Sequence, residues 1–225
     1  MSLAAIFVAS VGLAIIAIIA LRDHAKQRAT RSNILEQCAE LLEHGVVTHG
    51  ADGFPILEGR HAGRFVRAEL IADTMTIRRL PQLWLSLTRI EPRPVNCEFA
   101  ALMRPSGTEF YSLTAGYEYM LEPPAGVPAE ILIRGTKPAA QAHLDHIGSL
   151  ISRIVSEPKV KEIGVTKKGL RLVWQASEGR RGEHLILRQS VFDEAQVSHS
   201  NFARLLGYLD DLSSAIPIGV EANRV

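Results

Sequence analysis

Residues Leu3 to Leu21 are nineteen consecutive residues without a charged side chain, and Ser10 is the only hydroxyl among them. At about 1.5 Å per residue, a helix of that length spans roughly 28 Å, close to the hydrocarbon thickness of a bilayer. Only Met1 and Ser2 precede the run, so the basic segment that opens a cleavable export signal is not seen. A core helix of a globular protein keeps a polar face, and this run has none. The run therefore predicts a transmembrane signal-anchor over 1–21 that meets the lipid bilayer through residues 3–21. The segment 22–31 then reads as a basic juxtamembrane stretch, with Arg22, Lys26, Arg28 and Arg31 against one acid, Asp23. Basic flanks stay on the cytoplasmic side. The expectation is a single-pass protein of the cell membrane with its C-terminal domain in the cytoplasm.

The remaining chain is long enough to bury a sizeable core. Its charge is balanced, 25 basic against 24 acidic residues, which argues against a nucleic-acid binder. The basic charge is segmental: residues 159–191 hold eight basic and three acidic side chains. Cys38 and Cys97 read as small buried hydrophobes. An inverted topology, with an extracytoplasmic binding domain, would instead allow them to pair.

Periodicity predicts a helix over 32–45, with Asn33 as its cap, Gly45 as its end, and Ile34, Cys38, Leu41 and Leu42 as its apolar stripe. A hairpin follows around Gly59 to Gly63, then an alternating strand with Leu83, Leu85 and Leu87 on one side and Trp84, Ser86 and Thr88 on the other. A further strand is expected over 95–103. The stretch EPPAGVP marks a boundary between a first lobe, 32–121, and a second, 129–215. In the second lobe a helix is predicted over 137–155, then a hairpin turning at Lys167-Lys168-Gly169, a strand in EHLILRQSVF, and a helix over 200–215. The tail 216–225 reads as loose. The fold class is α+β: a transmembrane helix, then an antiparallel-sheet domain in the order helix, three or four strands, helix, three strands, helix. The repeated pattern is compatible with two similar lobes.

Catalytic motifs are few. His143 and His146 lie three apart on a predicted helix, which makes them weak candidates for a metal or acid/base site, but Asp145 falls on the opposite face and a zinc site needs further ligands. No nucleophile elbow, Walker loop or dinucleotide fingerprint is present. Ser106 and Thr108 near Arg104 have the composition of an anion nest, which in most turns is plain loop. Nothing in the sequence calls for a cofactor.

Interaction chemistry is better represented. Lys167, Lys168, Arg171, Arg180 and Arg181 crowd two turns and their flanks, as a surface for anionic lipid headgroups or an acidic partner would. Arg78, Arg79 and Trp84 have hot-spot composition, against the alternative of a Trp packed beneath a helix. The sequence thus predicts a non-catalytic accessory or assembly subunit that binds a protein partner in a larger membrane complex. A membrane-tethered, hydrolase-like enzyme using His143 and His146 is the alternative.

Overall fold

The computed structural model describes residues 7, 10–15, 17–19, 22, 31–74, 80–93, 95–179, 192 and 195–216. Nine strands form one sheet: β1 (Glu43–His49), β2 (Pro55–His61), β3 (Arg64–Asp73), β4 (Gln82–Ile90), β5 (Phe99–Met103), β6 (Tyr119–Met120), β7 (Ile131–Gly135), β8 (Val160–Thr166) and β9 (Gly169–Glu178). The α-helices α1 (Ala140–His146), α2 (Gly148–Val155) and α3 (His199–Ala215) accompany them.

The strand order is β1-β2-β3-β4-β9-β8-β5-β7-β6, with every pairing antiparallel. Strands β1 to β4 form a meander. The β8–β9 hairpin then inserts between β4 and β5, so strands from both halves of the chain interleave. The two-lobe expectation is corrected accordingly: one ladder runs from residue 43 to residue 178, because β4 pairs with β9 over its whole length.

The transmembrane helix is also corrected. Among the described residues no helix is long and apolar enough to cross a membrane. Within the expected anchor residues 7, 10–15 and 17–19 are described, and they are helical. The other residues of 1–21, and most of 22–31, lie outside the described residues. The membrane, single-pass and signal-anchor expectations are withdrawn with the helix.

Helix number and order differ as well. In place of a helix over 32–45 there is a short 3₁₀ turn, Glu36–Leu41, and Glu43 already belongs to β1. Asn33 does not cap: its side-chain Oδ1 accepts from the Ser32 hydroxyl at 2.9 Å. Gly45 does not end a helix but lets β1 pass over the turn, since a Cβ there would lie 2.4 Å from the Ala39 carbonyl oxygen. The helix expected over 137–155 is two helices, broken at Ile147, which leaves helical geometry at φ −101°, ψ 13°. The strand expected in EHLILRQSVF lies outside the described residues except for Phe192.

Alternation along the strands separates two faces. One face carries Leu57, Val66, Ala68, Leu83, Leu85, Leu87, Leu172 and Trp174, all buried, and all three helices cover it. Helix α3 begins at an N-cap, Ser198, whose hydroxyl accepts from the Asn201 amide at 3.2 Å, and buries Phe202, Leu205, Leu206, Leu209 and Leu212. Its far end is held by ions. Asp210 accepts from Arg89 at 2.5 Å and meets His61 at 2.9 Å, while Glu91 meets Arg93 at 2.5 Å and Arg64 and Arg89 at 3.3 Å each. Cys38 and Cys97 are free and buried within this layer. Burial pushes the Cys38 thiol up to about 12.

Leu85 sits at the centre of this core with no exposed surface. Leu85→Ala is expected to lower the unfolding free energy by about 2–5 kcal/mol in denaturant titration. Val46→Ala on the exposed edge strand β1 should change it by less than about 0.5 kcal/mol.

Candidate functional site

The second sheet face is polar where the first is apolar. Glu69, Ile71 and Asp73 of β3, Trp84 and Ser86 of β4, Arg171, Val173 and Gln175 of β9, and Glu162 of β8 point to it by register. Simple alternation would send Lys161 and Glu162 to opposite faces. The register between β8 and β9 shifts there, Val160 pairing with Trp174 and Glu162 with Val173, so one extra residue is accommodated on β8. Such a bulge re-aims a side chain locally. Lys161 and Glu162 therefore both engage the segment 104–118, which crosses this face as a strap.

The two charges pin the strap at two points. Lys161 Nζ donates to Glu109 Oε1 and to the Arg104 carbonyl, both at 2.8 Å, and Arg104 Nη2 donates back to the Val160 carbonyl at 2.9 Å. Glu162 accepts from the Ser112 hydroxyl and, at 3.1 Å, from the Leu113 amide. Arg171 then donates to Glu162 at 3.4 Å, to the Tyr111 carbonyl at 2.8 Å and to the Ser86 hydroxyl at 3.1 Å. Leu113 drops onto Gly164, where a Cβ would meet its Cδ1 at 2.5 Å. The strap lies as low as it does because that strand position has no side chain.

Both carboxylates are buried, yet they respond oppositely. Burial alone pushes Glu109 up, but hydrogen bonds from Lys161 and from the Ser106 hydroxyl and amide outweigh it and hold the carboxyl at about 2. The amides of Ser106 and Gly107 donate to it at 2.7 and 2.9 Å. The anion nest suggested by the sequence thus encloses the chain's own carboxylate. For Glu162 burial dominates, and its carboxyl is pushed above the usual range despite the Ser112 and Arg171 bonds.

Between the strap and the ends of β3 and β4 lies a cleft of about 340 Å³, lined by Asp73, Gln82, Trp84, Glu109, Tyr111 and Lys161 among others. Trp84 and Tyr111 form its aromatic wall, with ring centroids 5.8 Å apart and planes tilted by 46°. Asp73, Trp84 and Tyr111 are 5, 7 and 9 % exposed. Each nevertheless keeps a polar atom without a hydrogen-bond partner: Asp73 Oδ1, Trp84 Nε1 and the Tyr111 hydroxyl. Among the described residues six buried side-chain polar atoms lack a hydrogen bond, and three of them belong to residues that line this cleft. Burial, followed by the nearby charges of Asp73, Glu109 and Glu162, pushes the Tyr111 phenol up, so it stays protonated. A wider hollow of about 590 Å³ beside Phe54 and Phe110 has none of these atoms in its lining.

The residues singled out in the sequence scatter. Trp84 lines the cleft. Arg171 lies behind it, inside the strap's hydrogen-bond network, and Lys167 and Lys168 are exposed at the β8–β9 turn. There the backbone of the turn is bound by the 91–98 loop, through Glu91 N to Lys168 O at 2.9 Å and Arg93 N to Lys167 O at 3.0 Å. His143 is half-buried and His146 exposed on α1, on the opposite side of the sheet from the cleft. Among the described residues no group of three or more potential metal ligands occurs. Arg78, Arg79, Arg180 and Arg181 lie outside the described residues. Sequence reasoning missed Asp73, Glu109 and Tyr111; the available signal was the adjacent Lys161-Glu162 pair inside an apolar strand.

No family model, curated protein or solved structure matches this chain.

Removing one partner of a buried ion pair leaves the other uncompensated. Lys161→Met should therefore destabilise by about 3–5 kcal/mol, and adding Glu109→Gln to it should recover part of the loss. A carboxyl held low in the folded state stabilises above its unfolded value and loses that contribution as pH falls through the folded one. Between about pH 4.5 and pH 2 the wild type should lose the Glu109 contribution while Glu109→Gln loses nothing from this position. Denaturant titrations at stepped pH should show the gap between the two proteins closing on acidification.

Proposed function

We propose that this chain is a non-catalytic binding domain whose recognition element is the cleft under the strap. The observation that carries the reading is that three residues lining one cavity, Asp73, Trp84 and Tyr111, each hold a buried polar atom without a hydrogen bond. Each such atom costs about 1–3 kcal/mol if left unpaired, and native interiors contain few. A fold under selection for stability alone would have an apolar residue at each position. Polar groups on two sheet strands and on the strap pinned to the sheet, beside an aromatic wall, are the composition of a ligand site.

The surrounding ionisable groups support binding over turnover. Lys161 and Glu109 face each other, and Glu162 is enclosed by Ser112, Leu113 and Arg171. These groups fix the strap. The exposed lysines of the β8–β9 turn, Lys167 and Lys168, suit an acidic partner protein, which keeps an accessory role within a larger assembly compatible with the cleft.

The test removes one unpartnered group and nothing else. Tyr111→Phe is expected to raise the unfolding free energy of the ligand-free protein by about 1–3 kcal/mol. A loss of stability in that variant would mean that the hydroxyl is already satisfied, and would overturn the reading of this cleft as a recognition site.

A further inference from the structure

The ligand class can be read from what the cleft lacks, and this step rests on the cleft being a recognition site. Its lining holds three carboxylates, Asp73, Glu109 and Glu130, and two cations, Arg104 and Lys161. Lys161 is bound to Glu109 and to the Arg104 carbonyl, and the Arg104 guanidinium donates to the Val160 carbonyl. Among the described residues no cation is ion-paired with Asp73 or Glu130, and Asp73 is 5 % exposed with Oδ1 lacking a hydrogen bond. A buried carboxylate in that position calls for a positive charge with N–H donors.

Two further features narrow the choice. Indole Nε1 only donates, so the ligand must also carry an acceptor, while the Tyr111 hydroxyl accepts or donates as needed. The Trp84 ring already attracts a cation, since Lys161 Nζ lies 5.9 Å from its centroid. Anions such as phosphates and carboxylates are disfavoured by Asp73 and Glu130. Quaternary ammonium ions have no N–H for Asp73, and apolar molecules would leave all three atoms unpaired.

We infer that the cleft binds an organic ammonium group with N–H donors on a molecule that also bears a carbonyl oxygen, the ammonium on Asp73 and the carbonyl on Trp84 Nε1. The three atoms are closed to water in the empty protein, so pairing them requires side-chain rearrangement on entry. The same chemistry is available from a free amino-acid amide or from a lysine residue of a peptide.

Calorimetric titration of the full chain separates these sources. The probes are phenylalaninamide, its neutral N-acetyl form, its N,N,N-trimethyl form, and the tripeptide acetyl-Gly-Lys-Gly-amide. Phenylalaninamide or the tripeptide should bind at least about tenfold more tightly than the neutral and trimethyl forms, and Asp73→Asn should weaken that binding by about tenfold. Tighter binding of the free amide names a small molecule as the source; tighter binding of the tripeptide names a basic side chain. Equal binding of the trimethyl form, unchanged affinity in an Asp73→Asn protein with wild-type circular dichroism, or no heat with either ammonium probe at millimolar concentration would each overturn the inference. Failure of the ligand class is separable from failure of the site. If the ammonium probes fail while Tyr111→Phe stabilises the protein, the class falls and the recognition site stands; if Tyr111→Phe destabilises, the site itself falls.

Discussion

The second face of the sheet depends on one extra residue in β8. Without the bulge, alternation would put either Lys161 or Glu162 into the apolar layer beneath the helices, where an unpaired charge is costly. With it, both charges turn to the face the helices leave uncovered and hold the strap there, Lys161 through Glu109 and the Arg104 carbonyl, Glu162 through Ser112 and Leu113. The strap in turn carries Tyr111 into position against Trp84. Cleft and aromatic wall both follow from that local shift in register.

The two faces divide the physical tasks. The helix-covered face supplies the burial that drives folding, and the ion cluster around Glu91 and Asp210 fastens α3 across the ends of β2, β3 and β4. The strap-covered face holds polar atoms that a minimal core would not tolerate. Asp73 and Trp84 sit on β3 and β4, which pair with each other from Phe65 to Asp73, so the site rests on a rigid support. That is what a preorganised recognition site requires of its scaffold.

Local pattern was legible where it was strong, and long-range pairing was not. The alternation of Leu83, Leu85 and Leu87 against Trp84 and Ser86 marks β4 correctly, and the stripe from Phe202 to Leu212 marks α3. The stripe Ile34, Cys38, Leu41, Leu42 suits a helix equally well, but tertiary contacts take the chain through a 3₁₀ turn into β1 after a few residues. The apolar run 3–21 has the length of a span in sequence, yet among the described residues no helix is long and apolar enough to cross a membrane. Two lobes were inferred because nothing local announces that β9 will pair with β4 and β8 with β5. For the same reason Arg171 reads as part of a basic binding surface, whereas it is directed into the strap network, and Lys161 is buried by a bulge that no periodicity reveals.

The chain's two tryptophans provide the most direct test of the cleft. Trp174 Nε1 donates to Glu157 at 3.2 Å on the helix-covered side, while Trp84 Nε1 is unpaired in the cleft. In a nitrogen–proton correlation spectrum the two indole groups give separate signals, assignable with Trp84→Phe. Titration with phenylalaninamide should shift the Trp84 signal downfield as its N–H acquires an acceptor and leave the Trp174 signal in place. A Trp84 signal that stays fixed while the probe binds, or that moves together with Trp174, would contradict a cleft that recognises its ligand through these unpaired atoms.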